Sequence, residues 1–299
     1  MAITTILAGC DLSSSSDQAL DRAIAIAELH RAKLLLVHAQ ADDAPLAGID
    51  HAMLEQLGEV SAAVRIEDAR QLADRLVAIE ARGIRAELVS RIGPPDEILA
   101  GTALEHAAEL IVVGTHGHTG IARFLMGSVA SSTIRHAPCD VLVVRGRSAK
   151  AAFERPLVAT DFTPAASKAI SHATWVCAPG TAIDALHAWH LPTGSWGATL
   201  LGQARFPWSE VRDAVVTSAT ARADRLVAEH AALGTAVRVA LVQGPPTHAI
   251  THAAEDGHHD LIVVGSHGHR GVRRWLLGSV ADATVRHAAC SVLVVYSGA

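Results

Sequence analysis

Cysteine is scarce in this chain, four among 299 residues and none closely spaced, which argues against a disulfide framework or a zinc ribbon. Long apolar runs are missing as well. The longest, such as Val141–Val144 and Leu261–Val264, are strand-sized and far short of the ~20 residues of a membrane span. The opening MAITTILAGCDLSSSS has no basic n-region and breaks at Asp11, so no signal peptide is expected. Basic excess is absent too: residues 1–150 carry 14 Lys+Arg against 19 Asp+Glu, and residues 151–299 carry 11 of each. A nucleic-acid binder needs a basic face that neither half supplies. The expectation is a chain in a reducing, cytoplasmic setting, with no membrane and no nucleic-acid partner.

What the chain does have is a glycine pattern that occurs twice. Residues 110–128 read LIVVGTHGHTGIARFLMGS and residues 261–279 read LIVVGSHGHRGVRRWLLGS. In each, an apolar strand-like run leads into Gly-x-x-Gly, nine residues, and Gly-Ser at the start of a helix-like segment. Gly114, Gly117, Gly127 and Ser128 map onto Gly265, Gly268, Gly278 and Ser279 at one constant offset. A strand feeding a glycine-rich loop that ends at a helix N-terminus is a physical recipe for holding phosphate, because unpaired amides and the helix dipole converge there. One such hit is weak evidence. Two in register are strong.

The surrounding elements repeat in the same order. The first copy reads as strand TTILAGC ending at Asp11, a turn over Leu12–Ser16, and a helix with apolar positions at Leu20, Ile24 and Ala27. Then come strand KLLLVHA, a helix from about His51 to Ala81, strand IRAELVSR, and a Gly93-Pro94-Pro95 turn. Proline suits the first helical turn, and Asp96 and Glu97 there complement the helix dipole. The copy closes with LIVVG, the loop, a helix from Ser128 and strand DVLVVR. The second copy answers with PLVATD, helix Ala165–Cys177, AIDALHA, helix Val211–Leu233, AVRVALV, Gly244-Pro245-Pro246, LIVVG and SVLVVY. Short continuous apolar strands alternating with helices predict parallel sheets covered on both faces. The expected domains are residues 1–146 and 155–299, joined by a linker over 147–154.

In such α/β doubly wound sheets, ligands sit at the carboxyl ends of the strands, where strand order reverses. Asp11 and Gly114 end strands of the first copy, and Asp161 and Gly265 end the corresponding strands of the second. A carboxylate and a phosphate loop therefore meet at one cleft per copy. The carboxylate can accept from ribose hydroxyls while loop amides take phosphates. No Walker lysine follows either loop, so neither is a P-loop engine. Neither loop carries a carboxylate to position water, which points to a binding module with at most slow hydrolysis.

With these residues in place, the chain resembles a tandem universal stress protein over nearly its whole length. Ala159-Thr160-Asp161-Phe162-Thr163 is a close match to that family's strand-1 aspartate motif, and Gly9-Cys10-Asp11-Leu12-Ser13 a looser one. The resemblance implies two five-stranded parallel sheets of order 3-2-1-4-5, the adenine nucleotide alpha hydrolase-like fold, with ATP at each switch point and Mg²⁺ held through its phosphates. It implies that Asp11 and Asp161 contact ribose and that the backbone at Ala39 and Ala188 contacts adenine. Gly114, Gly117, Gly127, Ser128 and Val129, with Gly265, Gly268, Gly278, Ser279 and Val280, would line ribose and phosphates. It also implies an antiparallel pairing of the two last strands, Asp140–Arg145 and Ser291–Tyr296, as an intramolecular pseudo-dimer, with a homodimer of whole chains left open. The function implied is an ATP-binding stress or signalling regulator acting on an unidentified protein partner, with no catalytic residues. Two alternatives are a nucleotide-hydrolysing or adenylyl-transferring enzyme of related fold, and an interaction module that binds no nucleotide.

Other residues offer competing signals. Arg270 and Arg273 add charge to the second loop where the first has Thr119 and Ala122, so the second site is expected to hold phosphate more tightly. His116, His118, His267 and His269 fall in the loops and read as solvated or backbone-bonded. His248 and His252, four apart on an expected helix, have chelating spacing but no counterpart in the first copy, so no metal site is expected. His38 and His187 read as site-wall or core residues. Cys10, Cys139 and Cys290 read as small buried hydrophobes.

Overall fold

Leu110–Gly114 and Leu261–Gly265 carry the same sequence, LIVVG, and each is buried along its length except at the glycine. A strand with both faces covered can be apolar throughout, which is why these runs show no alternation. The edge strands Ala86–Ile92 and Val237–Gln243 instead mix buried and exposed positions.

The structure is a computed structural model, and it describes residues 3–40, 51–115, 126–146, 152–191, 208–266 and 277–296. The chain separates into two units, residues 1–151 and 152–299. The first runs β1 (Thr5–Gly9), α1 (Ser14–His30), β2 (Lys33–Gln40), α2 (His51–Glu80), β3 (Ala86–Ile92), α3 (Pro95–Glu105), β4 (Leu110–Gly114), α4 (Ser128–His136) and β5 (Asp140–Val144). The second runs β6 (Pro156–Ala159), α5 (Pro164–Val176), β7 (Ile183–Trp189), α6 (Trp208–Ala232), β8 (Val237–Gln243), α7 (Pro246–Asp256), β9 (Leu261–Gly265), α8 (Ser279–His287) and β10 (Ser291–Val295).

Within each unit the strands are parallel, in the order β3-β2-β1-β4-β5 and β8-β7-β6-β9-β10. The chain therefore steps outward from β1 to β3 and then crosses back to β4 on the other side of β1. That reversal puts the switch point between β1 and β4, with Ile6 beside Leu110, and between β6 and β9, with Leu157 beside Ile262. Both units are α/β and doubly wound.

Side-chain contacts sort the helices onto two faces. Arg75 reaches Asp17 at 2.9 Å, and Arg82, in the turn after α2, reaches Glu28 at 2.7 Å, tying α2 and its end to α1 on one face. Helix α3 packs on α4 on the other, as α7 packs on α8. Helices begin one to three residues earlier than expected in the second unit, at Pro164 rather than Ala165 and at Trp208 rather than Val211. Proline at the first helical position explains the former.

One expectation needs revision. The polar, small composition of 147–154 reads as linker, yet Phe153 is fully buried, bridges Cys177 and belongs to the second unit. Backbone N–H groups of Glu154 and Arg155 donate to the Asp260 carboxylate at 2.8 and 3.0 Å. The second unit thus begins before β6.

Candidate functional site

The two aspartates predicted to end strand 1 lie just past β1 and β6, and both are built into tight turns. Asp11 Oδ1 accepts from the N–H and the Oγ–H of Ser13 at 3.0 and 2.5 Å. Asp161 Oδ1 accepts from the N–H and Oγ1–H of Thr163 at the same two distances. The residue between is left-handed in both, Leu12 at φ 64° and Phe162 at φ 61°. A bulky residue there is strained, and the doubly bonded carboxylate helps hold it. Ser13 and Thr163 then serve as N-caps of α1 and α5, their oxygens accepting from Ser16 and Ala166. The sequence shows the aspartate; its second role in the turn is visible only in three dimensions.

Helices α4 and α8 start differently. Their N-caps are Gly127 and Gly278, and no side chain caps either helix. Both glycines have φ near −60°, so what glycine supplies here is the absence of a capping side chain, not an unusual backbone angle. Gly127 N–H donates to Thr115 O at 2.7 Å, and Gly278 N–H to Ser266 O at 2.8 Å. Each helix start is thereby pinned just past the end of β4 or β9. The first-turn amides keep the open end and positive dipole that favour an anion.

In the first unit these parts face one cavity of about 310 Å³, within the size range of small-ligand sites. Asp11, Ala39, Gly114, Gly127, Ser128 and Val129, all expected site residues, line it. Gly117 and Gly268 lie outside the described residues, as do the loop histidines and the arginines at 123, 270, 273 and 274. In the second unit Asp161, Ala188, Gly265, Gly278, Ser279 and Val280 occupy the corresponding ends of β6, β7, β9 and the start of α8. Sequence reasoning missed Gly9, Pro95, Leu99 and Val113, which also line the cavity. The spacing of Pro95 and Leu99, one helical turn apart after the Gly-Pro-Pro turn, was the available signal.

Gly114 has a specific steric reason. A Cβ there would lie 2.5 Å from Ser15 Oγ and 2.7 Å from Ser15 O. The strand end and the start of α1 touch backbone to backbone, and only glycine fits.

His38 is buried and His187 half-buried, and the two have one job in common. Nδ1 of His38 donates to Cys10 O, and Nδ1 of His187 to Thr160 O, each at 2.8 Å. Since a carbonyl only accepts, the ring must carry its proton on Nδ1. Cys10 is buried in the cavity wall and burial pushes its thiol pKa up, as packing rather than reactivity would have it. Burial raises the Cys139 thiol as well. His248 and His252 do sit side by side, ring centroids 4.6 Å apart. Among the described residues no group of three or more His, Cys, Asp or Glu is placed to hold a metal ion. Nor is any described helix long and apolar enough to cross a membrane.

The comparisons with known proteins agree with this architecture. The Universal stress protein family matches twice, over residues 2–145 and 152–296. A universal stress protein of Mycolicibacterium smegmatis is 30% identical over 298 residues, covering 97% of this chain and 96% of that protein. The crystal structure of a universal stress protein from Archaeoglobus fulgidus superposes with TM-score 0.65 at 22% identity, covering 98% of this chain and 96% of that one. A universal stress protein solved in complex with cAMP is 32% identical over 49% of this chain and 100% of its own, with TM-score 0.34. The double family match over almost the entire length, joined to the repeated sheet order, means that this chain belongs to the universal stress protein family.

Proposed function

We propose that each unit binds an adenine nucleotide, ATP foremost, and that the chain acts as a nucleotide-dependent stress or signalling regulator. The observation that carries this reading is the first-unit cavity, where the Asp11 carboxylate, the end of β2 at Ala39 and the uncapped start of α4 share one space. Each part suits a different part of a nucleotide. The carboxylate accepts from ribose hydroxyls, the strand end at Ala39 borders the base, and the amides at Ser128 and Val129 take phosphate oxygens. Mg²⁺ would be held mainly by the phosphates, as is usual for this ion.

Among the described residues Asp11 is the one carboxylate lining the cavity, and its Oδ1 is engaged by Ser13. That favours holding the nucleotide over hydrolysing it quickly, since a general base must reach the attacking water. The same parts stand at the same places of the second unit's topology, which supports two sites per chain.

The test uses calorimetry for stoichiometry and tryptophan emission for location, since all five tryptophans lie after residue 151. ATP, AMP and cAMP are titrated into the full chain and into Gly127→Glu and Gly278→Glu, which place a carboxylate at a phosphate-binding helix start. Two equivalents of ATP are expected. Gly278→Glu removes one equivalent and the emission change, and Gly127→Glu removes the other equivalent while leaving emission responsive. Absence of any heat or emission change defeats the binding reading, and rapid turnover of ATP transfers the chain to the enzyme class.

A further inference from the structure

On the opposite helix layer of the second unit, between the start of α5 and the middle of α6, lies a groove of about 570 Å³. Arg222 and Arg225 form one wall, with Glu229 one turn further along the helix, and Phe162, Thr163 and Ser167 form the other. Arginines three residues apart on one helix project from the same side, so both guanidinium forks address this space.

In the first unit an ion pair ties the corresponding helices together. There Arg75 donates from Nε and Nη2 to Asp17 Oδ1 at 3.0 and 2.9 Å, and from Nη1 to Gln71 O. The hexapeptide ADRLVA, which contains Arg75, recurs at 223–228 and contains Arg225. Position 167, which answers Asp17 in the Asp11/Asp161 alignment, is serine. The Arg225 side chain bonds its own helix instead, donating from Nε to Ala221 O.

Helix phase adds a second cation. Four residues separate ADRLVA from Gly83, but five separate it from Gly234. One extra residue turns a helix by about 100°, and the buried set changes accordingly. In α2 Leu72 and Ile79 are buried, whereas in α6 the buried positions are Ala219, Ala223, Leu226 and His230. Arg222 stands in the sequence place of Leu72, yet it is exposed at the groove.

Few groups compete for these cations. Arg225 donates from Nε to Ala221 O at 3.2 Å, and among the described residues neither arginine forms an ion pair with a carboxylate. Glu229 is turned to Ser167, whose Oγ lies 3.1 Å from Oε1 and 3.0 Å from His230 Nε2. Among the described lining residues, two guanidinium groups against one hydrogen-bonded carboxylate leave a positive excess.

We propose that this groove of the second unit is a binding site for a small phosphate-bearing anion, separate from the nucleotide cleft. Planar guanidinium forks match phosphate oxygens in pairs, and the volume suits a small molecule. The reading does not depend on nucleotide binding.

The experiment titrates inorganic phosphate at low ionic strength into the full chain and into the Gly127→Glu/Gly278→Glu double variant, followed by calorimetry. One phosphate equivalent is expected to persist in that double variant. Arg222→Gln/Arg225→Gln should weaken it at least about tenfold, because charge-assisted contacts are lost. Ser167→Asp, which adds a carboxylate to the groove that the arginines line, should weaken it as well. Circular dichroism confirms that each variant is folded. Phosphate binding that survives Arg222→Gln/Arg225→Gln unchanged, or that disappears with Gly127→Glu/Gly278→Glu, overturns the site.

Discussion

Gly114 and Ser15 meet so closely that a methyl group at 114 would lie 2.7 Å from the Ser15 carbonyl oxygen and 2.8 Å from its carbon. The end of β4 and the start of α1 are therefore in direct backbone contact at the mouth of the cavity. Gly114→Ala must push α1 away or bend β4, and overpacking of this kind costs about 1–3 kcal/mol. Denaturant unfolding of the variant should show that loss. Shortening the side chain with Ser15→Ala in the same chain should not restore it, because the clash is with backbone. Full recovery in the double variant would locate the clash in the hydroxyl instead.

The turn aspartates yield a graded prediction. Asp11→Asn keeps an oxygen that can accept from the Ser13 N–H and hydroxyl, whereas Asp11→Ala leaves both donors without it. Leu12 must still adopt its left-handed conformation, which costs about 1–2 kcal/mol for an L-residue. Asp11→Ala should therefore lose roughly 1–2 kcal/mol, with Asp11→Asn losing less. Asp161→Ala and Asp161→Asn should rank the same way, since Phe162 and Thr163 repeat the geometry. Equal losses for Asn and Ala would mean that the turn is held by something other than the side-chain oxygen.

How far the fold was legible follows from which forces act locally. The Ile-Val-Val runs, the turn prolines and the doubled Gly-Ser helix starts all act over a few residues, so element order and sheet class could be read from them. The close approach of Gly114 to Ser15 could not, because it spans about a hundred positions in sequence and leaves no periodic trace. Phe153 was hidden for a similar reason: a single large apolar residue in a polar stretch reads as linker until Cys177 is seen beside it. In the site, Asp11, Ala39 and Gly127 were legible because motif and topology agree on them. Leu99 and Val113 were not, since core packing and cavity lining select the same residue types. The phase change of α6 was recorded in one extra residue before Gly234, but only burial shows its consequence.

His230 makes the second unit sensitive to acid. Burial pushes its pKa down from the ordinary value of 6.5, more than the opposing effect of Glu229. In the unfolded chain the ring takes up a proton as pH falls through about 6.5, while the folded, buried ring resists until a lower pH. The unfolded state then binds more protons, so stability falls as pH drops below that value and is fully present above it. Unfolding followed by tryptophan emission, which reports this unit alone, should show a midpoint that declines below about pH 6.5. His230→Leu should flatten that decline. An unchanged slope in the variant would assign the acid sensitivity to other groups.

Gly9 provides a test of the cavity itself. It lines the floor of the first-unit cavity, and a Cβ there would lie 3.3 Å from Leu99 Cδ2 and from Val113 Cγ1, two other lining side chains. The second unit carries Ala159 at this position. Two effects on stability oppose each other in Gly9→Ala. The tighter contact is unfavourable, while the reduced freedom of the unfolded chain favours folding by about 0.4–1 kcal/mol. Net stability should change little, but the cavity becomes shallower by a methyl group. If the base of a nucleotide rests on this floor, affinity at the first site should fall by about tenfold, the usual worth of one methyl group in a close-fitting pocket. Calorimetry in a Gly278→Glu background isolates that site, and Ala159→Gly in a Gly127→Glu background should move the second site the opposite way. Unchanged affinity in Gly9→Ala would place the ligand away from the β1 floor, nearer the α4 start alone.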